Sequence, residues 1–153
     1  MALGRLGVWC STDKLNGGQL ADLVRAIEGN GYSAFWYPES RGYESMSLAA
    51  YLLSKSDRLT IGSSIANIYA RDSFTARRAT ISLNEWYGRR FILGVGVSHI
   101  PMVEGVRGHR YDKPIPAMRA YLEGLARDGG GDLPVVVAAL GPKMLALSAE
   151  MSR

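Results

Sequence analysis

Short apolar runs alternate with amphipathic stretches along all 153 residues of the chain. The runs have the length and the β-branched or aromatic content of buried strands, and they cover residues 6–10, 34–37, 58–65, 91–97 and 135–140. Between them, apolar residues recur at helical spacing, as from Leu20 to Ile27. The pattern predicts five βα units, and therefore a mostly parallel sheet with helices packed on it.

Turn and cap residues mark the predicted helix boundaries. Asn16-Gly17-Gly18 precedes the first helix, and Asn30-Gly31 ends it. Asp72 or Ser73 can cap the third helix, and Gly141-Pro142 opens the fifth. A polar, glycine-bearing stretch, residues 98–113, separates the fourth strand from its helix and is called the long loop below.

Two α/β architectures fit five βα units. A flavodoxin-like open sheet suits a chain of this length, whereas a TIM-barrel type (β/α)8 domain usually needs about 250 residues. The helical spacing of Met144, Leu147 and Met151 still continues at the end of the sequence, which favours a barrel that stops early. We therefore expect one incomplete barrel domain over residues 1–153, with the flavodoxin-like sheet as the alternative.

Composition narrows the classes of function. The net charge of +4 comes from scattered arginines, without the basic and aromatic interleaving of a nucleic-acid surface. No apolar run reaches the length of about 18 residues that a membrane span needs. Cys10 is the single cysteine, which excludes an intrachain disulfide and fits a reducing cytoplasm. Two histidines and one distant cysteine give no metal-ligand spacing.

Two titratable residues follow predicted strands and are candidates for catalysis. Glu39 follows the second strand, where an acid in a parallel α/β fold is typical of a site. The alternative is that this carboxylate caps a helix or forms a salt bridge. His99 follows the fourth strand and could donate or accept a proton, or it could be solvated surface.

Small residues at strand ends indicate a binding surface. Gly94 and Gly96 either let a flat cofactor lie against the backbone or relieve crowding, and they lack the third glycine of the dinucleotide fingerprint. Gly141 and Lys143 stand where a helix begins, a position that favours anions, although an ordinary connection is the alternative.

Five stretches, taken in order, resemble the luciferase-like superfamily and in particular its coenzyme F420-dependent oxidoreductases; they are residues 35–40, 64–69, 91–99, 103–114 and 138–144. The resemblance implies a barrel that holds a deazaflavin ring at the carboxyl ends of its strands. It further implies a non-prolyl cis peptide between Ser64 and Ile65, with Asn67 beside the polar edge of the ring. Val97 falls within the third stretch and is counted with the cofactor-binding residues.

The resemblance also bears on the substrate and on the phosphate tail. Gly141 and Lys143 match the place where the fifth βα loop approaches the cofactor's phosphate. Family members that oxidise sugar phosphates carry a histidine and a glutamate where this chain has Ser40 and His99. This departure argues against a sugar-phosphate substrate and keeps His99 as a candidate acid or base.

The implied reaction is hydride transfer between C5 of the deazaflavin and a carbon of a small-molecule substrate. FMN is the alternative cofactor, since FMN-dependent monooxygenases share the fold. Whole members continue through three further strands, so a second hypothesis is a non-catalytic fragment that self-associates as a homodimer or larger assembly. A third, a flavodoxin-like flavin carrier, would need a phosphate loop near Ser11-Thr12-Asp13, and the match there is faint.

Overall fold

The computed structural model describes residues 3–127 and 133–151. Its strands are β1 (Gly7–Trp9), β2 (Ala34–Tyr37), β3 (Thr60–Ser63), β4 (Ala66–Asn67), β5 (Phe91–Gly96) and β6 (Val135–Val137). Its α-helices are α1 (Gly17–Gly29), α2 (Ser45–Ser54), α3 (Ser73–Trp86), α4 (Pro114–Ala126) and α5 (Pro142–Met151). One π-helix, Pro101–Val106, lies within the long loop, where the sequence pattern predicts no helix.

Apart from the two-residue β4, the strands form a parallel sheet in which neighbours in sequence pair with each other. β1 pairs with β2, β2 with β3, β3 with β5, and β5 with β6. A flavodoxin-like sheet would place β1 between β2 and β3, because its strand order is 2-1-3-4-5. The flavodoxin-like alternative is therefore wrong, and the predicted TIM-barrel type fold, present as a partial barrel, is confirmed.

The predicted third strand, residues 58–65, is not continuous. β3 ends at Ser63, and β4 begins at Ala66 and pairs with β5 farther along at Val95 and Gly96. The fifth strand is also shorter than predicted, since β6 ends at Val137 and Leu140 is fully exposed. Ala138 adds one further main-chain hydrogen bond, to the Val95 carbonyl oxygen at 2.9 Å.

The helix boundaries follow local capping chemistry. Asn16 and Gln19 form a reciprocal capping box at the start of α1, and the Asp72 side chain accepts from the Thr75 N–H at the start of α3. Glu44 caps α2 by accepting from the N–H groups of its first turn, a role that the sequence pattern does not reveal. These caps fix where α1, α2 and α3 begin.

The core lies between the strands and the helices. Phe35, Ile61, Leu93 and Val95 from the strands pack with apolar residues of α1, α2, α3, α4 and α5. The two outer strands are less covered: Trp9 on β1 is 58% exposed and Val136 on β6 is 41% exposed. No helix in residues 3–127 and 133–151 is long and apolar enough to cross a membrane.

Candidate functional site

The break in the third strand forms a segment that we call the shelf, residues 64–67. Its Ser64–Ile65 peptide bond is cis, as the family resemblance implies. The end of β2 holds it in place: the Ser64 N–H donates to the Tyr37 carbonyl oxygen at 2.7 Å, and the Glu39 N–H donates to the Ile65 carbonyl oxygen at 3.1 Å. The shelf is therefore part of the sheet's carboxyl edge, where sites in this fold class lie.

The glycines of β5 make room for the end of β3 and for the shelf. A Cβ on Gly94 would overlap the carbonyl oxygen of Ser63 and lie 2.9 Å from its carbonyl carbon. The Ser63 hydroxyl bridges this contact, since it donates to the Gly94 carbonyl oxygen at 2.8 Å and accepts from the Gly94 N–H at 2.9 Å. A Cβ on Gly96 would stand 2.6 Å from the side chain of Ile65. At both positions, the geometry supports relief of crowding as the reason for glycine.

Asn67 ends the shelf with an unsatisfied donor. Asn67 is 1% exposed. Its main-chain N–H donates to Glu39 Oε2 at 2.8 Å, and its side-chain Oδ1 accepts from the Tyr69 N–H at 2.9 Å. Its Nδ2 is buried and has no hydrogen-bond partner among the residues that the structure describes. Buried donors are rarely left unpaired, so this amide is suited to an acceptor on a ligand.

Glu39 lies at the buried centre of an ionic cluster that consists of Glu39, Arg71, the half-exposed Glu44 and the partly exposed Arg107. Its side chain is 2% exposed and accepts from both terminal nitrogens of Arg71, one of them at 3.0 Å. Arg71 also contacts Glu44 at 2.8 Å, and Arg107 Nη2 lies 3.6 Å from Glu39 Oε1. Burial lowers the pKa of Arg71, but its bonds to Glu39 and the nearby carboxylates raise it more, so it lies above its ordinary value.

These contacts bear on the two interpretations of Glu39. Both carboxylate oxygens are engaged, and the acid is shielded from solvent, so the salt-bridging interpretation agrees with the geometry. Glu39 also accepts from the Ser45 N–H at 3.4 Å, which connects it to the first turn of α2. The cluster thereby joins the end of β2, the shelf, α2 and the long loop.

The long loop folds back onto the residues that follow the shelf. Tyr111 stacks on Tyr69 with ring centroids 5.6 Å apart, and the Asp112 N–H donates to the Tyr69 hydroxyl at 3.0 Å. His99 is exposed and opens the loop, and its carbonyl oxygen accepts from the first turn of the π-helix. Ser98 before it has φ of 57°, a conformation that non-glycine residues rarely adopt and that often marks functional sites.

The remaining predicted site residues occupy less distinctive surroundings. Ser40 and Val97 are half-buried and follow β2 and β5, respectively. Gly141 is half-buried and Lys143 is exposed in the first turn of α5, so the helix N-terminus and the lysine are adjacent as predicted. In residues 3–127 and 133–151, no three His, Cys, Asp or Glu side chains come together as a metal site.

Sequence reasoning missed the partners that organise this edge, namely Arg71, Arg107, Tyr69 and Tyr111. Arg71 and Arg107 lie 32 and 68 positions after Glu39, so nothing in local spacing links them. Tyr69 and Tyr111 both fall inside stretches that carry the family resemblance. That resemblance is the signal that could have drawn attention to them.

Comparisons with known proteins agree with this architecture. The family model for luciferase-like monooxygenases matches residues 1–128. A Mycobacterium tuberculosis protein, named among the coenzyme F420-dependent oxidoreductases, is 29% identical over 188 aligned positions, which include 99% of this chain and 53% of that protein. The 5,10-methylenetetrahydromethanopterin reductase of Methanolobus tindarius is 26% identical over 88% of this chain and 48% of its own length. The chain thus spans about half the length of the curated relatives it matches.

Solved structures support the fold. The coenzyme F420-dependent tetrahydromethanopterin reductase of Methanopyrus kandleri superposes with a TM-score of 0.80 at 20% identity, over 99% of this chain and 55% of that one. An F420-dependent secondary alcohol dehydrogenase, solved with an F420-acetone adduct, gives a TM-score of 0.83 at 12% identity, over 99% of this chain and 57% of that one. An FMN-containing Baeyer-Villiger monooxygenase of Pseudomonas putida gives a TM-score of 0.61 at 11% identity, over 70% of this chain and 33% of that one.

The sequential parallel sheet and the family match over residues 1–128 point to one assignment. The chain belongs to the luciferase-like monooxygenase family.

Proposed function

We propose that this chain carries the ring-binding part of a coenzyme F420 site and belongs to an oxidoreductase that transfers a hydride to or from a small organic substrate. The observation that carries the proposal is the buried, unpaired Nδ2 of Asn67 at the end of the shelf. The polar edge of a deazaflavin ring offers the carbonyl acceptor that this donor lacks. The two curated relatives described above support the choice of cofactor by their names.

The residues present fit the cofactor, and each has a proposed role. Asn67 would donate to the ring, and the main chain of Ser64 and Ile65 would contact it. Gly141 and Lys143, at the start of α5, bind the phosphate of its tail through main-chain N–H groups, the helix dipole and a positive charge. When bound, the deazaflavin supplies the hydride chemistry, while the protein orients the ring and manages the proton.

His99 is the proposed proton donor or acceptor. It is exposed at the carboxyl end of β5 and stands at the start of the long loop, where a substrate can reach it. Glu39, the other acid that the sequence singles out, is proposed to position the shelf, because its oxygens are already bonded. The departure at Ser40 and His99 from the sugar-phosphate-oxidising pattern favours another small organic substrate.

FMN is the competing cofactor, since a structural neighbour with FMN shares the fold. Two observations favour the deazaflavin. The curated relatives carry coenzyme F420-dependent or methanopterin-reductase names, and the F420-dependent structures superpose over 99% of the chain. The FMN-containing neighbour superposes over 70%.

Fluorescence titration of Asn67→Ala with coenzyme F420 tests the proposal. Loss of one hydrogen bond worth about 1.4 kcal/mol should raise Kd about tenfold relative to the wild-type chain. Asn30→Ala is the matched control, because Asn30 is exposed and caps α1 at the opposite end of β2. Equal Kd values for wild type and Asn67→Ala would remove Asn67 from the site.

We also propose that the isolated chain self-associates through its outer strands. β1 and β6 each pair on one side within the described residues, and Trp9 and Val136 on them are exposed. Unpaired strand edges bearing apolar side chains favour pairing with another chain. Light scattering after gel filtration should show a dimer or larger species that Val136→Lys reduces. Trp86→Lys, on an exposed apolar residue of α3 away from the sheet edge, should leave the mass unchanged.

A further inference from the structure

The long loop contacts the shelf region through two separate sets of interactions. One is the Tyr111–Tyr69 stack together with the Asp112 N–H bond to Tyr69, just after the shelf. The other is the approach of Arg107 to Glu39 at 3.6 Å. Arg107 directly follows the π-helix, so its contact with Glu39 fixes where that part of the loop lies.

Glu39 forms an ion pair with Arg107 of the long loop and hydrogen bonds with the shelf. Its N–H binds the Ile65 carbonyl oxygen, and its carboxylate accepts from the Asn67 N–H at 2.8 Å. Both ends of the Ile65–Asn67 segment are therefore tied to this single residue. A shift of the Glu39 carboxylate must move or weaken the bond that fixes Asn67.

The charges of the cluster balance only when Arg107 is included. Glu39 and Glu44 share Arg71, which contacts both carboxylates. Arg107 supplies the second positive charge, and its own side chain is 24% exposed while Glu39 is 2% exposed. Without Arg107, the buried Glu39 carboxylate would share the single Arg71 guanidinium with the half-exposed Glu44, and turning towards solvent would then be favourable for Glu39.

We infer that Arg107 is a positioning residue: through Glu39 it couples the docking of the long loop to the placement of Asn67 on the shelf. The inference rests on the proposed function for its consequence in catalysis, because a substrate that orders the long loop would thereby also order the ring-binding amide. The coupling itself is a property of the apoprotein. Its physical basis is the shared carboxylate, which has contacts on both elements.

Amide hydrogen exchange of the full chain tests the coupling without any ligand. In Arg107→Met, the main-chain N–H groups of Glu39 and Asn67 should exchange on the order of threefold to thirtyfold faster than in the wild type. Arg107→Lys should restore slower exchange, since it returns the charge. Arg110→Met is the matched control in the same loop, because Arg110 is 88% exposed and its ion pair is with the exposed Asp112. This control should leave the exchange rates of both main-chain N–H groups unchanged.

A second measurement connects the coupling to the site. Titration with coenzyme F420 should show a raised Kd for Arg107→Met, with Arg107→Lys closer to wild type and Arg110→Met unchanged. Faster exchange confined to residues 98–113 in Arg107→Met, or equal effects of Arg107→Met and Arg110→Met on Asn67, would overturn the inference. If the wild-type chain fails to bind coenzyme F420, the proposed function is wrong, and the exchange result still decides the coupling.

Discussion

Gly94→Ala is the substitution for which the structure makes the firmest prediction. The added Cβ would overlap the carbonyl oxygen of Ser63 and stand 2.9 Å from its carbonyl carbon. These are main-chain atoms of a buried strand, and the Ser63 hydroxyl binds Gly94 on both sides, so neither partner can move away alone. Relief would require β3 and β5 to separate.

Forced overpacking in a core costs about 1–3 kcal/mol, and a main-chain clash belongs at or beyond the upper end. We expect Gly94→Ala to lower the free energy of unfolding by about 3 kcal/mol or more, which in a chain of this size corresponds to a fall in Tm of roughly 6–12 °C. Gly96→Ala should cost less, because its Cβ meets side-chain atoms of Ile65 and not main-chain atoms.

Urea denaturation of the three purified variants Gly94→Ala, Gly96→Ala and Gly105→Ala gives the ranking. Gly105 lies in the π-helix, and among the described residues outside its own turn no atom lies within 4 Å of the place that a Cβ would take. Alanine there should therefore be neutral or stabilising by up to about 1 kcal/mol. A Gly94→Ala chain within about 0.5 kcal/mol of wild type would refute the reasoning that this position needs glycine to make room for the Ser63 carbonyl group.

Three further predictions concern the packing of the fold. Arg71→Met should cost about 3–5 kcal/mol by leaving the buried Glu39 carboxylate undercompensated, whereas Arg25→Met, on an exposed ion pair, should cost less than about 0.5 kcal/mol in the same denaturation assay. Tyr37→Phe should cost about 1 kcal/mol, because the buried hydroxyl donates at 2.7 Å to the main chain of α2. Burial raises the pKa of Glu28, but hydrogen bonds from three N–H groups before β3 lower it more, so it lies below its ordinary value of 4.5. The stabilisation by the ionised Glu28 carboxylate should be fully present at pH values above 4.5 and should be lost as the pH falls through the folded-state pKa. The free energies of unfolding of Glu28→Gln and wild type should therefore converge at acid pH.

Hydrophobic periodicity predicted much of the fold, because strands and helices here follow their local patterns. The number of βα units and the starts of α1 and α3 agree with the structure. Strand order did not follow from that pattern, since the same five βα units suit an open sheet or a barrel. The break between β3 and β4 was also hidden, because residues 58–65 have the composition of one continuous strand.

In the candidate site too, features that lie within a short stretch of sequence were predictable, whereas contacts between residues distant in sequence were not. The cis Ser64–Ile65 bond was predictable from the family resemblance, which recognises a short stretch of sequence. The partners of the Glu39 carboxylate were not predictable, since Arg71 is distant in sequence and Arg107 follows a π-helix that no local pattern indicates. The role of Gly94 depends on a contact with Ser63 across the sheet, and pairwise distances of that kind are set by the tertiary fold.

The proposed function requires this chain to bind a deazaflavin ring on the shelf. Fluorescence titration of the purified, folded chain with coenzyme F420, with FMN run in parallel, tests it most directly. We expect saturable binding of coenzyme F420 that is tighter than that of FMN and is weakened by Asn67→Ala. Tighter binding of FMN, or binding of neither cofactor by the folded chain, would contradict it.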